Sequence, residues 1–276
     1  MFSFSCDDAE KYMDILIAIT AALLYFAALI QIIPGLSGPS QIPARSVFLS
    51  ASGALALHAY LLFDLIDASS GQNLSILNVA SLISFIIAAM TTGLMFRMRV
   101  WVLLPVVYSF SAINLAAATL LPGAFITHLE ANPQVLIHIS LALFSYSTLM
   151  IATLYAIQLA WLDHQLKNKK KLVMNPNLPP LMAVERQLFN IILIGEVLLT
   201  LSLVTGAVFV QDMVAQGKAH KAVLSAMAWV VYGVLLWGHY RSGWRGRRVI
   251  WISIVGAFLL TLAYFGSRFV REVIIA

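Results

Sequence analysis

The chain has 276 residues, of which 61% are hydrophobic and only 11% are charged, and its mean hydropathy is +0.90. A soluble protein carries about 25% charged residues, so this composition excludes a soluble globular domain and indicates a polytopic membrane protein. The net charge is +5, but the basic residues stand in short segments between apolar stretches. That distribution indicates membrane orientation rather than nucleic-acid binding. Cys6 is the only cysteine, which excludes a disulfide framework and a thiolate metal cluster within one chain.

The apolar stretches predict eight membrane spans, because a helix needs about 20 residues to cross roughly 30 Å of hydrocarbon. The predicted spans cover 12–33, 46–66, 74–96, 101–121, 135–162, 188–210, 221–240 and 249–270. Lysine and arginine concentrate in the first, third, fifth and seventh connections, and such positive charge marks the cytoplasmic side. The sequence therefore predicts an all-α fold: one polytopic transmembrane domain over 1–276, with eight helices in a bundle and both termini on the outer (periplasmic) side.

Two connections carry local signals. Pro34 and Gly35 predict that the first span stops there. The polar run GQNLSILN before the third span has two interpretations. Asn73 or Ser75 caps the third helix, which is the favoured interpretation, or the run lines an outer pocket.

His58 stands inside the second span, in the run GALALHAYLL. An imidazole in hydrocarbon is costly, so it needs a partner or a function. One interpretation is a neutral histidine that bonds a neighbouring helix. The other is an axial ligand of heme iron, because an apolar helix bundle supplies the slot that a porphyrin needs.

His239 stands at the cytoplasmic edge of the seventh span, directly before the basic turn RSGWRGRR. It is a candidate heme ligand, a candidate proton relay, or an interfacial polar residue. Arg245, Arg247 and Arg248 are interpreted as topology determinants, with contact to heme propionates as the alternative.

Two further polar residues lie within predicted spans. His138, near the outer end of the fifth span, binds a ligand from outside or caps the helix. Glu196, inside the sixth span, suggests a proton path or a buried pair. His128 and Glu130 form an HxE pair that is too weak to predict a metal site. The sequence has no nucleotide-binding loop, catalytic triad or HExxH helix.

Four segments resemble the cytochrome c assembly family of membrane proteins, the group that contains CcsA, CcmC and HemX. They are LALHAYLLFD with GQNLSILNVASLISF, HISLALFSYSTLMIATLYAIQLAWL, IGEVLLTLSLVTGAVF and GHYRSGWRGRRVIWISIVGAFLLTLAYFG. Together they cover most of the chain from the second span onward. The GWRGRR turn behind a helix-borne histidine is the most specific of them.

The resemblance implies a bacterial inner-membrane protein that binds heme b, with His58 and His239 as axial ligands of the iron. His138 matches the first of two outer histidines in family members that present heme. Those members also carry a tryptophan-rich outer motif, whereas this chain has QDMVAQGKAHKA between the sixth and seventh spans and lacks the second outer histidine.

The sequence therefore predicts a heme-handling membrane protein that is not an enzyme and does not attach heme to cytochrome c. The expected partners are membrane lipid and other membrane assembly or heme-biosynthesis proteins, with no nucleic acid. Two alternatives stay open. One is a HemX-like regulatory or assembly partner that binds no heme, and the other is a transporter that uses Glu196 and the histidines as a proton relay.

Overall fold

In the described part of the chain, the α-helices agree with the predicted spans in number and order. A computed structural model describes residues 6–38, 40–68, 71–121, 123–128, 133–167, 175, 177–209 and 219–266. Within these residues the α-helices are α1 (Cys6–Ser37), α2 (Ala44–Ile66), α3 (Ile76–Leu94), α4 (Leu104–Leu120), α5 (Pro133–Lys167), α6 (Leu181–Phe209), α7 (Ala219–Ser242) and α8 (Arg247–Thr261). A π-helical turn over Leu262–Gly266 extends α8. Seven of the helices are long and apolar enough to cross a membrane, and α4, with 17 residues, is the shorter eighth.

The first helix does not stop at Pro34, so that prediction is wrong. Helix α1 continues to Ser37 with Pro34 inside it. Proline removes one backbone donor, and here the carbonyls of this last turn find donors outside the helix. The side-chain amide of Asn175 donates to the carbonyls of Gly35 and Gly38, each at 2.8 Å. These bonds satisfy the end of α1 where the helix itself cannot.

A small antiparallel sheet, which the sequence did not predict, joins two connections of the chain. Strands β1 (Asp67–Ala68), β2 (Gly71–Asn73) and β3 (Ile126–Thr127) lie in the order β1-β2-β3. The side chain of Asn73 accepts a bond from the Phe125 amide and donates one to the Gly123 carbonyl, both at 2.9 Å. Asn73 therefore fastens the sheet, and the predicted cap of α3 is made by Ser75, whose hydroxyl accepts from the Asn78 amide.

The described residues form two compact units. The first lies within Met1–His128 and Asn175–Leu178 and contains α1 to α4 with the sheet. The second lies within Leu129–Met174 and Pro179–Ala276 and contains α5 to α8. The single domain over 1–276 and the outer location of the termini stay predictions. Glu130 and the lysines at 169–171 lie outside the described residues.

Apolar side chains cover much of the outer surface of the helices, whereas small polar side chains lie inside. Leu16, Phe63 and Trp251 are each more than 60% exposed, whereas Ser81 and Ser111 are completely buried. Large apolar patches of this kind are rare on soluble monomers. The distribution agrees with helices whose outer faces contact lipid and whose inner faces bond one another through hydroxyl groups.

Candidate functional site

His58 lies at the centre of the first unit and is completely buried. It shares the inner face of α2 with Ala51, Ala54 and Leu61, which are also buried and which recur at helical spacing. The Tyr25 hydroxyl of α1 lies 3.1 Å from its Nδ1, and the Ser81 hydroxyl of α3 lies 2.9 Å from its Nε2. Both ring nitrogens of the imidazole are therefore hydrogen-bonded to neighbouring helices.

The bonds of His58 belong to a larger set of aromatic and hydroxyl contacts. The ring of Tyr25 packs against that of Tyr108 of α4 at 5.5 Å, and the Tyr108 hydroxyl bonds that of Thr92 at 2.9 Å. On the other side of His58, the Ser84 hydroxyl donates to the Ser81 carbonyl at 2.8 Å. All four helices of the first unit thus contribute to the surroundings of this imidazole, which fixes its orientation.

An open, largely apolar groove of about 410 Å³ lies on the surface of the same unit. Its lining includes Phe63 and Ile66 of α2, Leu82 and Phe85 of α3, and Asp67 and Gln72, whereas His58 lies behind it and does not line it. The Phe85 ring also contacts the His58 imidazole edge-on, with 5.4 Å between ring centroids. A single aromatic ring, that of Phe85, therefore adjoins both the groove and the imidazole.

His239 occupies a different environment, at the end of α7 in the second unit. Its Nδ1 donates to the backbone carbonyl of Trp244 at 3.1 Å, because a carbonyl can only accept. In the neutral ring the lone pair is then on Nε2. The ring stacks on Phe189 of α6, with 3.4 Å between centroids and 13° between planes.

The turn after His239 is built tightly around Trp244. The Trp244 amide donates to the Gly238 carbonyl at 3.1 Å, and a Cβ at Gly238 would overlap the Trp244 indole. Gly243 and Gly246 have φ angles of 63° and 66°, which glycine adopts without strain. The GWRGRR segment is therefore a folded turn, and its residues fix the position of the preceding His239.

Of the three arginines predicted to contact heme propionates, Arg245 forms an ion pair. Arg245 Nε lies 3.3 Å from Glu185 Oε1 of α6, and the carboxylate is the more buried partner. Arg247 and Arg248 are exposed in the first turn of α8, where the helix dipole disfavours a positive charge. Helix stability therefore does not account for these two arginines.

His138 lies on α5, where it contacts α6. Its Nδ1 lies 2.9 Å from the Ser202 carbonyl and 3.3 Å from the Thr205 hydroxyl. A Cβ at Gly206 would come within 2.8 Å of the His138 ring, so the glycine makes room for the imidazole. His239 contacts the same helix at Phe189, which is 13 residues from Ser202 in the sequence. At 1.5 Å per residue the two contacts are about 20 Å apart along α6, so His138 and His239 do not share one site.

The predicted axial ligands lie in different units, His58 in the first and His239 in the second. Their pairing on one iron stays a prediction. In the described part of the chain, no group of three or more His, Cys, Asp or Glu side chains is arranged to hold a metal ion. Sequence reasoning missed Tyr25, Ser81 and Phe189, the side chains that hold the two imidazoles, because their separation along the chain carries no recognisable spacing.

The family model for "Cytochrome C assembly protein" matches residues 46–275, which include all three candidate histidines and the arginine turn. The chain belongs to the cytochrome c assembly protein family. The predicted resemblance is thereby confirmed. Tyr25, which bonds His58, lies ahead of the matched region.

Individual relatives of this cytochrome c assembly family member agree with the assignment. The chain is 53% identical to inner membrane protein YpjD of Escherichia coli K12 over 259 residues, which cover 93% of this chain and 98% of the relative. It is 22% identical to the cytochrome c biogenesis protein CcsA of Heterosigma akashiwo over 205 residues, or 62% of this chain and 63% of the relative. A shorter match to CcsA of Synechococcus is 29% identical over 80 residues, or 28% of this chain and 26% of the relative. No solved structure matches.

Proposed function

We propose that this protein binds heme b inside the membrane through His58 and His239, and that it carries or senses heme without acting as an enzyme. The observation that carries the proposal is the completely buried imidazole of His58, which contacts Phe85 in the wall of an open apolar groove of about 410 Å³. Membership of the cytochrome c assembly family supports a heme-related membrane function. The relative named inner membrane protein YpjD supports a location in the bacterial inner membrane, with lipid as the immediate partner.

The hydrogen bonds of both histidines are compatible with ligation of an iron by their imidazole rings. A ligating histidine usually donates its second ring N–H to a fixed acceptor, which sets the orientation of the ring. The Trp244 carbonyl fulfils this role for His239. For His58 the Tyr25 hydroxyl is suited to the same role at Nδ1, and iron would replace the Ser81 hydroxyl at Nε2. When bound, heme supplies an iron centre whose two axial positions such imidazoles can fill.

The arginines of the turn that follows His239 in the sequence suit the propionate groups of a heme. Arg247 and Arg248 are exposed, and a guanidinium forms bidentate bonds with a carboxylate. Arg245 is a weaker candidate because Glu185 already neutralises part of its charge. His138 is proposed only as a separate outer contact, given its distance from His239 along α6. Without a second outer histidine or a tryptophan-rich segment in the sequence, we do not propose heme attachment to cytochrome c.

Two substitutions around His58 test the proposal, and only one of them is expected to weaken heme binding. Tyr25→Phe removes the partner of Nδ1, so we expect it to weaken heme binding about 10- to 100-fold. Ser81→Ala removes the hydroxyl that competes with iron for Nε2, so we expect unchanged or tighter binding. The measurement is an absorption titration of hemin into the full-length protein in detergent.

The control for this titration is Ser111→Ala, because Ser111 is a buried hydroxyl of the same unit that donates to the Ser84 carbonyl rather than to His58. It should leave the affinity unchanged. Equal affinities in all four proteins, or a Soret band that stays that of free hemin in every one of them, would contradict heme binding at His58.

A second candidate function is a HemX-like regulatory or assembly partner that binds no heme. It is favoured by one observation, namely that both nitrogens of His58 are hydrogen-bonded by Tyr25 and Ser81. In that case the histidine is a structural link between three helices. The exposed Arg247 and Arg248 would then form part of a docking surface for a protein of heme synthesis or of respiratory complex assembly. A preparation that takes up no hemin and co-purifies with such a protein would favour this function.

A further inference from the structure

Glu196 lies in the middle of α6, and the heme proposal gives it no role. Within the Leu181–Phe209 helix, 14 residues lie between Leu181 and Glu196 and 12 lie between Glu196 and Phe209. Glu196 therefore stands near mid-membrane if the helix crosses the bilayer. Only 8% of the residue is exposed. An ionised carboxylate at that depth is costly unless it is paired with a positive charge or hydrogen-bonded. The contacts of Glu196 therefore decide whether its carboxyl group is protonated or ionised.

No cationic side chain pairs with Glu196 among the residues that the structure describes, and its Oε2 atom has no hydrogen-bond partner there. On the α7 side its other oxygen faces Gly233, where an added Cβ would stand 3.5 Å from Oε1. The nearby Thr200 hydroxyl donates to the backbone carbonyl of Glu196 rather than to the carboxyl group. Thr200 in turn accepts a bond from the Trp229 indole at 2.9 Å.

Among the residues that the structure describes, the titratable group that interacts with Glu196 is a tyrosine. Tyr232 of α7 is close enough to interact with it electrostatically, and Tyr146 of α5 and Tyr264 beyond α8 belong to the same cluster. The Tyr232 hydroxyl donates to the Ser253 carbonyl at 3.3 Å, and that of Tyr146 is engaged with the Thr261 hydroxyl at 3.0 Å. A phenol hydroxyl carries no positive charge, so these tyrosines provide no counter-charge for a carboxylate.

We propose that Glu196 is a proton-binding site within the second unit, and that release of its proton loosens the contact between α6 and α7. The carboxyl group of Glu196 faces Gly233 closely, which leaves little room for a larger ligand. A proton can bind there because it requires no cavity. On release, the O–H bond breaks, its electron pair stays on the carboxylate, and the proton passes to a water molecule that enters between the two helices. The site is independent of heme binding, since the carboxyl group is not in contact with a proposed ligand.

The proposal predicts that a carboxylic acid at position 196 is visible in the infrared spectrum of the full-length protein in nanodiscs. A difference spectrum between about pH 5 and pH 9 should show loss of the acid carbonyl stretch as pH rises. The melting temperature should fall over the same pH range, because an unpaired carboxylate is costly inside the membrane. Glu196→Gln should remove the infrared change and most of the pH-dependent melting shift.

Two further variants make the test specific. Asp163→Asn removes a carboxylate from an exposed pair with Lys167 and should leave the infrared change in place. Glu196→Asp keeps an acid at the position, so it should retain a pH-dependent signal if the protein is folded. The proposal is overturned if the parent protein shows no carboxylic-acid carbonyl band, or if that band is unchanged at the highest pH of the range. It is also overturned if Glu196→Gln keeps both the band and the pH-dependent shift in melting temperature.

Discussion

Replacing His58 with alanine is expected to abolish heme binding by the detergent-purified protein. The substitution removes the imidazole that we propose as an axial ligand and that bonds the Tyr25 and Ser81 hydroxyls. It also leaves those two hydroxyls without their buried partner and opens a cavity, which should lower the free energy of unfolding by about 2–5 kcal/mol. The measurement is the Soret absorbance per protein after hemin is added and excess hemin removed.

Loss of heme from this variant has to be separated from loss of structure. Free imidazole can occupy the space that the deleted side chain leaves, so it should restore the spectrum of a histidine-ligated heme in a folded His58→Ala protein. His164→Ala provides a matched control, because His164 lies in the last turn of α5 in the second unit, whereas His58 lies in the first. Undiminished heme binding by His58→Ala would rule out this residue as a ligand.

Gly238→Ala is expected to disrupt the turn that holds His239. The new Cβ would overlap the Trp244 indole. Displacing Trp244 would break two hydrogen bonds: the one from its backbone N–H to the Gly238 carbonyl, and the one from His239 Nδ1 to the Trp244 carbonyl. Overpacking of this kind costs about 1–3 kcal/mol. Thermal unfolding of the purified protein should therefore show a lower midpoint than that of the parent.

Gly93→Ala is the matched control for this substitution. Gly93 also lies in a helix, but an added Cβ there meets no atom within 4 Å. Alanine has the higher helix propensity, by about 1 kcal/mol, so Gly93→Ala should leave the midpoint unchanged or raise it. A Gly238→Ala protein as stable as the Gly93→Ala protein would show that the packing of Trp244 does not support the turn.

The positions of the helices were predictable because hydropathy depends on composition over a whole span. The second, third and seventh spans were predicted within about two residues of α2, α3 and α7 at each end. The error at Pro34 arose because the carbonyls at the end of α1 find their donor in Asn175, 140 residues further along the chain. A pattern local to Pro34 cannot reveal such a partner.

The candidate site was predictable only in its polar residues. A histidine within an apolar run stands out in a sequence, as His58 does, because its burial has to be compensated. Its compensating groups do not stand out, because Tyr25 and Ser81 are common residues of membrane helices. Likewise, Phe189 gives no sequence signal of its stacking on His239, since any apolar residue satisfies the hydropathy pattern of α6.

The central claim is that one heme is ligated by both His58 and His239. The most direct measurement is the electron paramagnetic resonance spectrum of the ferric, heme-loaded full-length protein, compared with that of His239→Ala. Two imidazole ligands should give a low-spin signal in the parent, and removal of one should convert it to high spin. A high-spin parent, or a low-spin signal that persists unchanged in His239→Ala, would contradict ligation by this pair.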